Sequence, residues 1–313
     1  MDPPADAQVA RSHVQRRLAE WRLTRPARGR HMFSALQAVP DPGEDKLSEA
    51  PHLLVTEQEN ILIVTLNRPD KLNALSVQLM RSFSDEVDRF RDTPDLKVML
   101  IRATGRYFSA GADLKESAAR GEPQTTGSGI RNMHRHLPSD MRRIWDEMEH
   151  IEKPFVVAHQ GPCVGGSLEM SLSCDFRLAA RRASYAFPEA KFGSLPATNG
   201  VSRLTRVVGP HWARYLIMAN LPASAEQALN MGLVHQIFPD ESFEEDVLNF
   251  CRHLTQQNSE MIGVAKLAIE LAADLEAAQA GAVERLANST LMLAPSYREG
   301  LKSHLQNVGG KKD

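Results

Sequence analysis

Residues 156–200 read VVAHQGPCVGGSLEMSLSCDFRLAARRASYAFPEAKFGSLPATNG, and this stretch decides the fold. Its pattern predicts a buried apolar strand, a turn that contains Gly165 and Gly166, a short helix, and a second strand-like segment that ends at Glu189. Another glycine turn, FSAGADLKE at residues 108–116, also opens a helix. These two turns and the polar groups beside them are the first candidates for a functional site.

The two glycine turns can each present a backbone N–H outward, at Ala112 and at Gly166. A helix begins behind each turn, and its dipole favours negative charge at that end. Two convergent N–H groups would stabilise an oxyanion by roughly 3–4 kcal/mol each. The alternative is that the glycines only allow close packing of strand and helix. Small residues on both turns favour the approach of a ligand, and they are Ser109, Ala110, Ala112, Gly165 and Ser167.

Two glutamates, Glu169 and Glu189, each follow a chain reversal in otherwise apolar surroundings. If both face one pocket, their pKa values are pushed apart, so that one is ionised and the other is protonated. Such a pair can move a proton and activate a water molecule. Glu169 could instead only complement a helix dipole, and Glu189 could be a solvated carboxylate at the end of a strand. With two amide-bearing turns, the pair indicates thioester chemistry through an enolate.

The composition is that of a globular protein with an ample core, at 313 residues, 42% hydrophobic and 24% charged. A net charge of −2 gives no general attraction to nucleic acid or to an anionic membrane. No apolar run reaches the roughly 18 residues that span a bilayer. The three cysteines form neither a disulfide framework nor a metal-ligand spacing. We therefore expect no metal site, no membrane span and a reducing compartment.

Three regions are expected along the chain. Residues 1–50 form an extension rich in Arg and Pro, residues 51–242 a core, and residues 243–313 a helical region that caps the core or joins subunits. The extension is read as a solvated segment or as a helix that packs on a neighbouring subunit. A cytoplasmic location is expected, or the mitochondrial matrix if the Arg-rich extension is a presequence.

The fold class expected from the pattern is α/β. Residues 52–67 alternate and then run apolar, which predicts a β-hairpin. A helix with Ser76 as its cap and a short buried strand at residues 98–102 follow. Strand pairs followed by a helix recur from Phe155 onward, so a repeated ββα unit is expected.

Several motifs follow one another in a fixed order, and they are LNRPDKLNALS at 66–76, FSAGADLKE at 108–116, GPCVGGSLEMSLSCDFRLA at 161–179, FPEAKFGSLP at 187–196, LTRVVG at 204–209 and GLV at 232–234. In these motifs, over about residues 52–305, the chain resembles the enoyl-CoA hydratase/isomerase (crotonase) family. The resemblance implies a crotonase-like spiral of ββα units followed by a C-terminal α-helical region. It also implies an acyl-CoA substrate and assembly as a homotrimer or a dimer of trimers.

The resemblance also assigns roles to residues of this chain. Glu169 and Glu189 match the catalytic glutamates of hydratases, and Ala112 and Gly166 match the oxyanion-hole amides. No cofactor is implied, since coenzyme A is part of the substrate. The positions implied to bind substrate or CoA are Lys71, Leu72, Ala74, Ala110, Asp113, Leu114, Lys115, Gly165 and Ala197.

The expected reaction is the reversible addition of water to a 2-enoyl-CoA, because isomerases of the family usually keep only the second glutamate. Two departures from the family pattern bear on the site: Ser167 replaces a glycine, and Ala197-Thr198-Asn199 replaces a glycine-rich run. Alternatives on the same scaffold are double-bond isomerisation, decarboxylation, and C–C bond hydrolysis or cleavage. An alternative of another class is a non-catalytic acyl-CoA-binding subunit with the extension as a docking arm.

Overall fold

The computed structural model describes residues 50–119, 126–129, 131 and 139–309. The predicted extension, apart from Ala50, lies outside the described residues. The strands are β1 (Leu53–Gln58), β2 (Ile61–Leu66), β3 (Val98–Ala103), β4 (Phe155–His159), β5 (Cys163–Val164), β6 (Phe176–Ala180), β7 (Ser184–Ala186), β8 (Ala223–Ser224) and β9 (Gln236–Phe238). The helices are α1 (Val77–Asp92), α2 (Leu114–Ala119), α3 (Ser139–His150), α4 (Gly166–Leu172), α5 (Gly200–Ala213), α6 (Ala225–Asn230), α7 (Phe243–Thr255), α8 (Ser259–Ala272), α9 (Ala277–Leu293) and α10 (Pro295–Gly309).

The described strands form two sheets. The larger has the order β1-β2-β3-β4-β6-β9, in which β1 runs antiparallel to β2 and the other neighbours are parallel. The smaller has the order β5-β7-β8. From β4 to β7, successive strands alternate between the sheets, so that β4-β5-α4 and β6-β7-α5 are equivalent units. The expected α/β spiral of ββα units is confirmed.

Both faces of the larger sheet are buried. Ile61 and Ile63 pack in a cluster with side chains of α7, whereas Leu62 and Val64 pack in a cluster that contains the buried face of α1. This explains why β2 reads as an almost continuous apolar run. Ser76 caps α1 as predicted, because its hydroxyl accepts a hydrogen bond from the Leu79 amide at 3.2 Å.

The strand predicted to end at Glu189 is shorter than expected. β7 ends at Ala186, and Glu189 lies in a 3₁₀ turn, Pro188–Phe192. The fixed φ and missing N–H of Pro188 suit the first position of a helical turn rather than a strand. The turn lifts Glu189 off the sheet and directs its carboxylate to α4.

The described residues from 243 to 309 are largely helical, as predicted. Its first helix, α7, packs on the sheet, and Lys266 of α8 reaches the start of β4. The buried ammonium of Lys266 donates hydrogen bonds to Asp175 Oδ2 at 3.0 Å and to the Met148 carbonyl at 2.8 Å. The same Asp175 oxygen accepts the amide of Phe155 at 2.7 Å. In the part of the chain that is described, no helix has the length and apolar character needed to cross a bilayer.

Candidate active site

Glu169 lies in the first turn of α4, and its side chain is buried. Its Oε1 atom accepts two backbone hydrogen bonds, from the Thr198 amide at 2.8 Å and from the Gly200 amide at 3.2 Å. Gly200 is the first residue of α5, so the carboxylate also sits at the positive end of that helix. A Cβ on Gly200 would lie 2.6 Å from the same oxygen, so the close approach requires glycine there.

The surroundings of Glu169 act on its pKa in opposite directions. Burial has the largest effect and raises the pKa of Glu169, although the two amides and the nearby charge of Arg203 stabilise the ionised form. The carboxyl group is thus shielded from water, but it accepts hydrogen bonds from donors that stabilise its ionised form. The two amides also fix the direction of the carboxyl group.

Glu189 lies beside the start of the same helix, α4. Its Oε1 atom lies where a side chain on Gly165 would be, 2.7 Å from the position of a Cβ. Gly165 also has φ of 58°, which other residues rarely adopt. Glycine is therefore required here both by the backbone conformation and by the close approach of Glu189. Within the described residues, the buried Oε2 atom of Glu189 has no hydrogen-bond partner.

The unpartnered Oε2 atom separates Glu189 from Glu169, whose Oε1 atom accepts two amides. Burial raises the pKa of Glu189 to about 7, and the nearby charge of Glu169 acts in the same direction. The structure therefore brings the two predicted glutamates close enough for their charges to interact, in surroundings that differ. Glu169 accepts two backbone amides, whereas Glu189 has a buried oxygen without a partner among the described residues.

The two glycine turns lie side by side. The Val164 amide donates to the Ser109 carbonyl at 3.0 Å, and Ala112 forms a parallel bridge with Leu75. A Cβ placed on Gly166 would lie only 3.7 Å from the Ala112 nitrogen. Among the described residues, no hydrogen bond engages the amide of Ala112 or of Gly166. The two amides thus lie close together and near the carboxyl group of Glu169.

The residues predicted to bind CoA lie mainly on two neighbouring segments. The Ala110 amide donates to the Leu72 carbonyl at 2.9 Å, and Asp113 pairs with Arg68 at 3.1 Å. Arg68 also donates to the Ala74 carbonyl, which ties both segments together. The predicted positions that are exposed at the ends of these segments or near Glu169 are Lys71, Leu114, Lys115 and Ala197.

A family model described as enoyl-CoA hydratase/isomerase matches residues 56–308. The chain belongs to the enoyl-CoA hydratase/isomerase family. Curated relatives include 2,3-dehydroadipyl-CoA hydratase of Escherichia coli, 29% identical over 81% of this chain and 95% of that protein. Carnitinyl-CoA dehydratase of Salmonella paratyphi A is 34% identical over 71% of this chain and 79% of its own length.

Solved structures of the family superpose well on this chain. An enoyl-CoA hydratase subunit from Geobacillus kaustophilus has a TM-score of 0.75 and 28% identity, covering 83% of this chain and 97% of its own. An enoyl-CoA hydratase from Bacillus anthracis has the same TM-score at 26% identity, with coverage of 82% and 96%. The crotonase fold is thereby confirmed.

Ser167, the first departure from the family pattern, joins the two glycine turns. Its buried hydroxyl accepts the Val164 amide at 3.1 Å and lies 3.1 Å from the Ser109 carbonyl, to which it can donate. The sequence alone did not indicate this cross-link. Ser167 thus links the turn that contains Gly166 to the turn that contains Ala112.

The second departure supplies contacts that the sequence did not reveal. The amides of Thr198 and Gly200 donate to Glu169, whereas Ala197 was expected to bind substrate or CoA. The role expected for Ala197 stays a prediction. One sequence signal was available, since Asn199-Gly200 is a dipeptide that favours left-handed turns.

Proposed function

We propose that this chain is an enoyl-CoA hydratase that adds water reversibly to a 2-enoyl-CoA thioester. The observation that carries the proposal is the unequal pair of glutamates beside two free amides. Glu169 has two amide donors on one oxygen, whereas Glu189 has a buried oxygen without a partner among the described residues and a pKa raised to about 7.

Four groups of this chain, two backbone amides and two glutamates, take part in the proposed reaction. The amides of Ala112 and Gly166 donate to the thioester oxygen, which gains negative charge as the enolate forms. Glu169 takes a proton from water, and the water oxygen bonds to C3 while the C2–C3 π electrons move into the enolate. Glu189 then donates its proton to C2, and the thioester carbonyl re-forms. Return of the proton from Glu169 to Glu189 through solvent resets the site.

The relatives support a reaction of this class. The names of two of them describe a hydratase and a dehydratase acting on CoA thioesters, and a third, 30% identical and from Mycosarcoma maydis, is named an enoyl-CoA isomerase/hydratase. The resemblance implies that both glutamates are kept for the addition or removal of water. We therefore place hydration ahead of isomerisation.

The direct test is turnover of a panel of 2-enoyl-CoA thioesters with short, medium and long chains. We expect the absorbance of the conjugated thioester to fall as 3-hydroxyacyl-CoA forms, and to rise when 3-hydroxyacyl-CoA is supplied instead. A chain with both Glu169→Gln and Glu189→Gln serves as the blank. If no member of the panel reacts in either direction, the proposed function is wrong.

We propose further that the chain assembles as a homotrimer or a dimer of trimers through its C-terminal helices. Large apolar side chains are exposed on α8, α9 and α10, and they are Met261, Leu267, Ile269, Leu271, Leu286, Met292, Leu293, Tyr297, Leu301 and Leu305. Exposed apolar patches of this kind mark interaction surfaces. Sedimentation of the full chain is expected to give about three or six times its mass of 34.7 kDa. A monomer at micromolar concentration would contradict this assembly.

A further inference from the structure

Asn199 has an uncommon backbone conformation, and it lies beside the residues that hydrogen-bond to Glu169. Its φ is 68° and its ψ is 16°, in the left-handed region. It lies between Thr198 and Gly200, the two residues whose amides donate to Glu169. Asn and Gly reach this region at little cost, whereas for most residues it costs roughly 1–2 kcal/mol.

The left-handed residue explains how the two amides meet on one atom. A left-handed residue beside a turn or a helix start turns nearby N–H groups to the same side and makes a concave site for an anion. Here the anion is the Glu169 carboxylate, held by both amides through its Oε1 atom. The conformation of Asn199 therefore bears directly on the position of the base.

The surroundings hold the loop in this shape. The Asn199 side chain donates to Asp146 at 3.2 Å, and Arg203 donates to the Thr198 carbonyl at 2.9 Å. Arg203 is buried, and it also pairs with Asp146 at 2.6 Å and with Glu149 at 2.6 Å. Carboxylates of helix α3 thus hold the loop at two points, directly through Asn199 and indirectly through Arg203.

We propose that Asn199 is a positioning residue whose left-handed backbone keeps the Thr198 and Gly200 amides on the carboxylate of Glu169. The inference rests on the proposed function, in which Glu169 activates the water. The charged groups that face Glu169 are Arg203 from α5 and Glu189 from the 3₁₀ turn. Asp146 and Glu149 of α3 lie behind Arg203 and balance its charge.

The test compares Asn199→Ala with Asn199→Gly. Both variants lose the side-chain bond to Asp146, but only glycine adopts the left-handed backbone without strain. Asn199→Ala is expected to lower kcat for hydration by about tenfold or more with little change in KM, which corresponds to a barrier raised by about 1.4 kcal/mol or more. Asn199→Gly is expected to stay within about threefold of the parent chain. Equal loss in both variants, or no loss in Asn199→Ala, would overturn the inference.

A second measurement does not depend on turnover. The Glu169 carboxyl carbon is titrated by NMR in chains labelled with ¹³C-glutamate, and Glu169→Gln identifies its resonance. The pKa is expected to rise in Asn199→Ala, since the amides that favour the ionised form are lost, and to be unchanged in Asn199→Gly. This result would support the positioning role even if no enoyl-CoA were hydrated, whereas identical titrations in all three chains would overturn it.

Discussion

Replacing Glu169 by glutamine is expected to lower kcat for hydration by about 10²–10⁴-fold, the usual contribution of a positioned general base. The side-chain oxygen of glutamine can still accept the amides of Thr198 and Gly200, so the loop and the fold are preserved. What is lost is the charge that removes a proton from water. Stopped-time assays of enoyl-CoA consumption measure the effect, and calorimetric titration with a saturated acyl-CoA shows whether binding survives.

A matched control for this variant is Glu241→Gln, which makes the same chemical change at an exposed position outside the site. It is expected to keep the parent rate. The Glu169 variant should also retain exchange of the C2 protons of a saturated acyl-CoA with deuterated water, because that exchange needs only Glu189 and the two amides. Full hydratase activity in Glu169→Gln would remove this residue from the mechanism.

The second large effect is expected for Glu189→Gln, which removes the group proposed to deliver the proton to C2. Hydration should fall by about 10²–10⁴-fold, and C2 proton exchange should be lost as well. Loss of both reactions separates this variant from Glu169→Gln, which loses hydration alone. If Glu189→Gln abolishes turnover while Glu169→Gln is fully active, isomerisation becomes the better assignment.

The pH profile provides an independent check on Glu189. Its pKa is raised to about 7, and hydration requires its protonated form. As pH rises above about 7, Glu189 loses its proton, so kcat/KM for hydration should fall by about tenfold per pH unit. The residual activity of Glu189→Gln should lack this alkaline limb. The profile belongs to the coupled pair of carboxyl groups, so Glu169→Gln is expected to shift it.

The sequence predicts most of the fold because the relevant signals are local. The hairpin, the cap at Ser76 and the helices from residue 243 follow from apolar periodicity and from short-range hydrogen bonds. The end of β7 was misjudged because an apolar residue before Pro188 continues the strand pattern while proline ends it.

The site is predictable in its residue types but not in its contacts. Glu169 and Glu189 stand out as carboxylates in apolar surroundings, and the glycine turns stand out by composition. The donors to Glu169 come from residues 198 and 200, and their position depends on how the loop closes over α4. The link from Arg203 to Asp146 joins α5 to α3 across the fold, and no local pattern indicates which acids it meets.

The hydrogen-bonded ion pair between Lys266 and Asp175 limits how parts of this chain can be exchanged by engineering. It places the C-terminal helices and the central strand β4 in one cooperative unit, because loss of one partner of a buried ion pair costs about 3–5 kcal/mol. Such a loss is comparable with the whole stability of many domains, about 5–15 kcal/mol. Helix α8, one of those proposed to join subunits, therefore also supports the start of β4, the strand that precedes the glutamate-bearing helix α4. A chimaeric protein that contained Lys266 without Asp175, or Asp175 without Lys266, would carry an unpaired buried charge.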